Sequence, residues 1–386
     1  MDEDRARGVH AREVRVRRDD DRVEPSLGSL DDAFAPLVRA WIGVHDDDLP
    51  AGELERRGVD PREADLEHPA RAVAQQFEDP RRNGSGQSGR QPNHGATLSW
   101  SHRGAACAAE NTPVEPDPGH AGEGSVIPVP RALTIAGSDS GGGAGIQADL
   151  KAFAAAGVHG MSAIVALTAQ NTVGVSGVHE VPPAFVRAQL EAVFEDIGAD
   201  AAKTGMLFSR AIIEAVADFL DEHRVPLVVD PVMVASSGAR LLEEDAVGAL
   251  VERLFPRATV VTPNLLEAQA LVPGVDPSNR LLLSEGLVAL GAPAAIVTGG
   301  HGDEAVDHLF DGREHHEIPV ERLDRASTHG AGCTHSATLA ALLARGLPLL
   351  DAARGAAEAA TRAVRQGLTD IGAGDGPVDI LGVANR

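Results

Sequence analysis

The pattern of hydrophobic and polar positions changes near residue 130. Before that point apolar residues are few and follow no period, while Asp, Glu and Arg are frequent. The stretches 79–95 and 110–124 have the composition of disordered chain, and one short apolar segment, 33–44, is compatible with a helix. We therefore expect a low-order acidic and Arg-rich extension over residues 1–130, without assigned chemistry, and a folded domain over residues 131–386.

From Arg131 onward, short β-branched runs alternate with Ala-rich segments of helical period. Strands are predicted at 132–136, 162–168, 201–204, 227–230, 259–262 and 295–298. Helices are predicted at 146–156, 184–195, 210–222, 244–254, 265–271, 284–290, 334–345 and 351–366. This alternation indicates an α/β fold with a mainly parallel sheet covered by helices on both faces. Two strand-like runs between 306 and 320, joined by DGRE, predict a hairpin late in the sheet.

Composition narrows the function classes. The 386 residues carry a net charge of −23, which disfavours general binding to nucleic acid. No apolar run approaches the length of about 20 residues that a membrane span needs. The two cysteines, Cys107 and Cys333, lie far apart, so a disulfide framework is not expected. We expect a cytoplasmic protein without nucleic-acid or membrane partners, and a homodimer as the common default.

A glycine-rich turn, LTIAGSDSGGGAGIQADL, joins the first predicted strand to a helix. Glycines let the backbone approach a ligand, and the helix N-terminus offers N–H groups. A Walker loop would require Lys where Ile146 stands. A dinucleotide fingerprint fits Gly143-x-Gly145-x-x-Ala148, but the second strand ends without the acidic residue it needs. The remaining interpretation is a substrate-facing turn, in which Asp139 either binds a ligand hydroxyl or caps the turn.

Polar residues also follow three later strands, where ligands of open α/β sheets bind. Gln170 offers a donor and an acceptor that match the edge of an aminopyrimidine, although the same residues also suit an ordinary loop. Asp230 is either a ligand of a Mg²⁺–phosphate group or a turn residue. Asn264 and Glu267 have the spacing of a capping box, and their oxygens also suit Mg²⁺ and its waters.

The most specific segment is THGAGCTHS, residues 328–336. Its glycines let successive N–H groups converge before an Ala-rich helix, which makes a nest for an anion such as a transferring phosphoryl group. The nest would consist of Gly330, Ala331 and Gly332. Cys333 would lie in the first helical turn, where the helix field stabilises a thiolate that accepts a hydroxyl proton; the alternative is a buried, inert cysteine. His329 and His335 show no recognised zinc spacing and are interpreted as structural.

Seven segments, in this order, resemble the hydroxymethylpyrimidine/phosphomethylpyrimidine kinases of the ribokinase superfamily. They are AGSDSGGGAGIQADLKAF, ALTAQNT, KTGML, VVDPVM, TPNLLEA, VTGGH and THGAGCT. The resemblance runs from Arg131 to the C-terminus. It implies a ribokinase-like three-layer sandwich that phosphorylates 4-amino-5-hydroxymethyl-2-methylpyrimidine, and then its monophosphate to the diphosphate, with ATP and Mg²⁺ in thiamine diphosphate biosynthesis.

The resemblance also implies roles for individual residues. Substrate binding falls to Gln170, Gly137 and Asp139. Mg²⁺ binding falls to Asp230 and Glu267, and nucleotide binding to Asn264, Thr298 and Gly300. Catalysis falls to the anion nest and to Cys333 as the base. The family often has Lys where Thr298 stands, so an Arg or a bound cation would have to replace its charge at the nucleotide phosphates. In the second, diphosphate-forming step, the positive charge at the substrate phosphate would have to come from Lys203, arginines, Mg²⁺ and backbone N–H groups.

Two other functions fit the same motifs. A pyridoxine or pyridoxal kinase of this superfamily would share the anion nest and the cysteine. A non-catalytic pyrimidine-sensing protein would share the fold. Gln170 and the Asp139 turn favour a pyrimidine, and the intact loop at 330–333 favours catalysis, because a sensor has no need of a nest for a transferring phosphoryl group.

Overall fold

A computed structural model describes residues 128–235, 238–243, 245–299, 305–323 and 327–385. The predicted extension over 1–130, with its helical segment at 33–44, lies almost wholly outside these residues and stays a prediction. Within the described ranges, none of the helices has the length and apolar character needed to cross a membrane.

Nine strands form one sheet in the spatial order β3-β2-β1-β4-β5-β6-β7-β8-β9. Their bounds are β1 Arg131–Asp139, β2 His159–Gln170, β3 Val175–Glu180, β4 Ala201–Thr204, β5 Leu227–Val229, β6 Val260–Val261, β7 Ala295–Val297, β8 Val306–Phe310 and β9 His315–Pro319. The strands from β2 to β7 in this order run parallel to one another, while β3 and the β8–β9 hairpin are antiparallel edges. The predicted mainly parallel sheet and the late hairpin are confirmed.

Helices cover both faces of the sheet. They are α1 Gly145–Ala155, α2 Pro183–Asp196, α3 Arg210–Glu222, α4 Ala246–Ala249, α5 Leu265–Leu271, α6 Arg280–Ala289, α7 Ala331–Ala344 and α8 Leu349–Arg365. Helices α2 to α6 contribute to one buried apolar cluster, and α1, α7 and α8 to the other. Strand β1 shows the alternation that separates the clusters, because Leu133 and Ile135 face the first and Ala132 faces the second. The predicted three-layer sandwich is confirmed.

Two local predictions were wrong. The edge strand β3 was not predicted, because half-exposed strands carry polar residues and glycine that resemble a loop. The helix predicted at 244–254 is α-helical only over Ala246–Ala249, widens to a π-turn at Leu250–Leu254 and tightens to a 3-10 turn at Phe255–Arg257. Pro256 lacks an N–H group, so the helical ladder cannot continue through it.

Candidate active site

A cleft of about 1230 Å³ opens at the carboxyl ends of the central strands. Every predicted site residue except Gly300, which lies outside the described residues, lines it: Gly137, Asp139, Gln170, Asp230, Asn264, Glu267, Thr298, Gly330, Ala331, Gly332 and Cys333. Parallel strands end at the same edge of a sheet, so residues distant in the sequence converge there.

Asp139 organises the glycine-rich turn. Its Oδ1 accepts from the Gly141 amide at 2.8 Å, and its Oδ2 accepts from the amides of Gly143 and Ala144 at 3.0 and 2.8 Å. His329 Nε2 lies 3.0 Å from the same Oδ2. Burial would raise the pKa of Asp139, but these hydrogen bonds outweigh it and hold the pKa below its ordinary value. Asp139 therefore caps the turn as an ionised carboxylate, and a contact with the substrate stays a prediction.

Gln170 is the last residue of β2 and lies beside this turn. Ser140 holds its backbone, because Ser140 Oγ accepts from the Gln170 amide at 2.8 Å and donates to its carbonyl at 2.7 Å. The side chain is half-buried and points into the cleft between Thr168 and His329. The site where the sequence predicts pyrimidine binding is thus tied to the glycine-rich turn and to the segment before α7.

A buried charge cluster lies beneath the centre of the cleft. Lys203 is fully buried, with Nζ 2.8 Å from Asp149 Oδ1 and 3.8 Å from Asp230 Oδ2. Burial opposes the charge of Lys203, but Asp149 and the other nearby acids outweigh it and raise the pKa of the lysine. Ser336 on α7 donates to Asp230 Oδ2 at 2.7 Å. The cluster therefore holds the buried positive charge of Lys203 next to the carboxyl groups of Asp149 and Asp230.

Asn264 and Glu267 form the capping box of α5. Asn264 Oδ1 accepts from the Glu267 amide at 3.0 Å, and Glu267 Oε2 accepts from the Asn264 amide at 2.9 Å. Glu267 nevertheless lines the cleft, and burial together with the charge of Asp230 raises its pKa to about 8. The capping interpretation is therefore confirmed for both residues, while their ligand roles remain predictions.

The predicted anion nest lies at the start of α7. Gly330 has a left-handed φ of 87°, and the Ala331 amide turns back to donate to the Thr328 carbonyl at 3.0 Å. The next amides, of Gly332 and Cys333, belong to the first turn and have no acceptor within the helix. Gly332 is exposed to the cleft. These N–H groups make the helix start a site for an anion.

Cys333 faces the cleft and is partly exposed. Its enclosure by protein raises the pKa of the thiol to about 12; Lys203 and the Gly145 amide lower it, but Asp149 and Asp230 raise it further. The surroundings of Cys333 therefore oppose the thiolate that its helix position was predicted to favour, and its role as the base stays a prediction. The helix start was visible in the sequence, whereas the two carboxylates come from α1 and from the end of β5.

Comparison with known protein families identifies the chain. The family model described as phosphomethylpyrimidine kinase matches residues 139–379. The chain therefore belongs to the phosphomethylpyrimidine kinase family. A hydroxymethylpyrimidine/phosphomethylpyrimidine kinase of Rhizobium meliloti is 50% identical over 256 residues, which cover 64% of this chain and 95% of that protein. The thiamine biosynthesis bifunctional protein ThiED of Geobacter sulfurreducens is 50% identical over 260 residues, and this chain spans only 53% of its length.

Solved structures agree with this assignment. Pyridoxal kinase of Bacillus subtilis, in complex with ADP, has a TM-score of 0.61 at 38% identity, covering 67% of this chain and all of that one. Phosphomethylpyrimidine kinase of Clostridium difficile has a TM-score of 0.54 at 39% identity, covering 61% of this chain and 99% of that one. As a member of this kinase family, the protein is a phosphotransferase with the ribokinase-like fold.

Several residues of this kinase were not predicted as site residues. Asp149 and Ser336 complete the charge cluster around Lys203. His329 contacts both Asp139 of the glycine-rich turn and Gln170 at the end of β2. Each of these residues contacts an element distant in sequence, so the sequence could indicate its role only through its residue type.

His335 is buried, with Nε2 3.2 Å from Asp307 Oδ2, and Asp307 Oδ1 accepts from the Gly299 amide beside Thr298.

The raised pKa of Glu267 predicts a pH-dependent stability of this kinase. Between about pH 4.5 and 8 the folded protein holds a proton on Glu267 that the unfolded chain releases, so stability falls as pH rises through this window. Glu267→Gln keeps the neutral shape and removes this contribution. In thermal unfolding from pH 5 to 9, the wild type should lose more stability than the variant. Parallel curves for the two proteins would contradict the raised pKa.

Proposed function

We propose that this kinase phosphorylates 4-amino-5-hydroxymethyl-2-methylpyrimidine with ATP, and then phosphorylates the monophosphate to the diphosphate, in thiamine diphosphate biosynthesis. One observation carries the proposal: Gln170, which suits an aminopyrimidine edge, and the anion nest before α7 open on the same cleft. A hydroxymethyl group on a ring held by Gln170 would then face the N–H groups that receive the transferred phosphoryl group. The family match and the names of the related kinases support the same reaction.

The proposed chemistry relies on positioning and electrostatics, as phosphoryl transfer generally does. Gln170 orients the ring, and the amides of Gly332 and Cys333 stabilise negative charge on the phosphoryl oxygens. Cys333 is the candidate base for the hydroxyl proton. Cys333 can accept the hydroxyl proton only as the thiolate; burial and the nearby carboxylates oppose this form, and Lys203 is the nearby cation that favours it.

Asp230 and Glu267 fit a divalent cation. Both carboxyl groups are buried and line the cleft, and their mutual repulsion contributes to the proton retained on Glu267. A cation would replace that proton. Within the described ranges no group of three or more His, Cys, Asp or Glu side chains is arranged to hold a metal, so phosphate oxygens would supply further ligands, as is usual for Mg²⁺. The ion would neutralise phosphate charge. Asn264, Thr298 and Gly300 would contact the nucleotide.

A second substrate class has support of its own. Pyridoxal kinases of Bacillus subtilis and Staphylococcus aureus share the fold at 38% and 34% identity, and the latter was solved with AMP-PCP and pyridoxal. Pyridoxine or pyridoxal is therefore the alternative substrate. Both reactions use the same nest and cysteine, so only the ring-binding residues distinguish them.

We also propose a cytoplasmic homodimer. The scarcity of cysteines supports a reducing compartment. Leu167 and Val173, near the edge strand β3, are 46% and 67% exposed, and a second copy would cover them. Light scattering of the purified protein tests the dimer.

The proposed reaction is tested by ADP release from Mg·ATP with hydroxymethylpyrimidine or pyridoxine, with product masses measured. We expect turnover of the pyrimidine to a monophosphate and a diphosphate. Turnover of pyridoxine alone would assign the alternative substrate. Absence of turnover with both, at low and at high salt, would favour the sensing protein.

A further inference from the structure

The side-chain amide of Gln170 is held at both ends. The structure places its Oε1 3.2 Å from Thr168 Oγ1 and its Nε2 3.5 Å from His329 Nε2. The two ends of a side-chain amide have nearly the same shape, so their partners decide which end is oxygen and which is nitrogen. The partners at the two ends can be assigned independently of each other.

Thr168 requires nitrogen at its end. Its hydroxyl lies closer to the Ser138 carbonyl oxygen, at 2.9 Å, than to the Gln170 side chain, at 3.2 Å, so its one hydrogen is best donated to Ser138. Thr168 Oγ1 is then left as an acceptor toward Gln170. Facing it with the amide oxygen would bring two acceptors together, whereas the amide nitrogen can donate to it.

His329 requires oxygen at the other end. Asp139 is ionised, and its Oδ2 lies 3.0 Å from His329 Nε2, so Nε2 must carry a hydrogen. A Gln170 nitrogen 3.5 Å away would set two donors against each other. An oxygen in that place is attracted instead, although at this distance the attraction is mainly electrostatic. Both ends therefore require the same amide orientation, rotated by 180° about the last side-chain bond.

We propose that His329 and Thr168 are positioning residues that lock the Gln170 amide with its oxygen toward His329, and that this lock selects a 4-aminopyrimidine. The inference rests on the proposed function and refines it. A ring nitrogen of the substrate accepts from the amide nitrogen on the Thr168 side. The exocyclic amine donates to the amide oxygen on the His329 side. Both positioning residues act on the substrate through Gln170.

The lock has a distinctive consequence for substrate choice. The 4-oxo analogue carries oxygen in place of the amine and N–H in place of the ring nitrogen, so its hydrogen-bond pattern is reversed. It can pair with Gln170 only if the amide turns over, which both partners resist. A buried hydrogen bond left unmade costs enough to lower kcat/KM for the analogue by about ten-fold or more.

The test compares kcat/KM for the 4-amino compound and its 4-oxo analogue. The variants are His329→Phe, which removes the donor, Thr168→Val, which removes the acceptor in the same shape, and His329→Gln, whose amide can again donate to Asp139. We expect the wild type to prefer the amine, and His329→Phe and Thr168→Val to reduce that preference by about ten-fold, chiefly through KM. His329→Gln should restore part of it.

The outcomes separate the inference from the proposed function. Equal losses for both compounds in His329→Phe and Thr168→Val would show a merely structural role and overturn the inference alone. A wild type that uses both compounds equally well would do the same. A wild type inactive with the amine would overturn the proposed function together with the inference. If His329→Phe does not fold, Thr168→Val decides the result.

Discussion

Replacing Cys333 by alanine is expected to reduce turnover by about 10²- to 10⁴-fold, the usual contribution of a general base. Cys333 lies in the first turn of α7 and faces the cleft between the glycine-rich turn and the charge cluster around Lys203. Alanine removes the sulfur and the contact it accepts from the Gly145 amide, and leaves the helix backbone in place. The loss should therefore appear in kcat more than in the melting temperature.

The measurement is ADP release at saturating pyrimidine and Mg·ATP, alongside thermal unfolding of the same preparations. Cys107→Ser is the matched control, because it removes the protein's other thiol. We expect that control to retain wild-type turnover. If Cys333→Ala keeps turnover within a few-fold of the wild type, Cys333 is not the base, and positioning by the nest accounts for catalysis.

The overall fold and most of the cleft were predictable from the sequence for a physical reason. Central parallel strands are buried on both faces, so they appear as short apolar runs such as those of β4 and β5. Polar residues at the ends of those runs must then lie at one sheet edge. Asp230 and Asn264 follow this rule, since each comes soon after a strand and lines the cleft.

Features set by contacts between distant segments were not predictable. The hydrogen bond between Asp139 and His329 joins residues 190 positions apart, and the ion pair between Asp149 and Lys203 joins α1 to β4. A sequence pattern shows neither pair. The raised pKa of the Cys333 thiol was unpredictable for the same reason. Its local helix position favours the thiolate, while carboxylates from other elements oppose it.

The largest stability effect is expected for Gly330→Ala. Gly330 adopts φ 87°, and a Cβ atom there would lie 1.9 Å from the Gly143 carbonyl oxygen. The added methyl group therefore meets both backbone strain and a rigid neighbour. Together these effects should destabilise the fold by about 2–5 kcal/mol. At roughly 2 °C for each kcal/mol in a domain of this size, the melting temperature should fall by about 4–10 °C.

Gly332→Ala is the matched variant, two residues further along, in the first turn of α7. Gly332 has no positive φ, and a Cβ atom there has no neighbour within 4 Å among the described residues. Alanine also favours a helix over glycine by up to about 1 kcal/mol, so stability should be retained or slightly increased. The methyl group would nevertheless stand in the cleft, in front of the amides that are proposed to hold the phosphoryl group.

The two glycines should thus separate the structure of the loop from its chemistry. In thermal unfolding, Gly330→Ala should melt at a lower temperature, while Gly332→Ala should melt like the wild type. In the ADP-release assay, Gly332→Ala should show turnover lowered by about ten-fold or more, as expected when oxyanion contacts are disturbed. Wild-type turnover in Gly332→Ala would place the transferred phosphoryl group elsewhere in the cleft. An unchanged melting temperature in Gly330→Ala would mean that the turn at Gly143 yields without cost, which its close approach to Gly330 argues against.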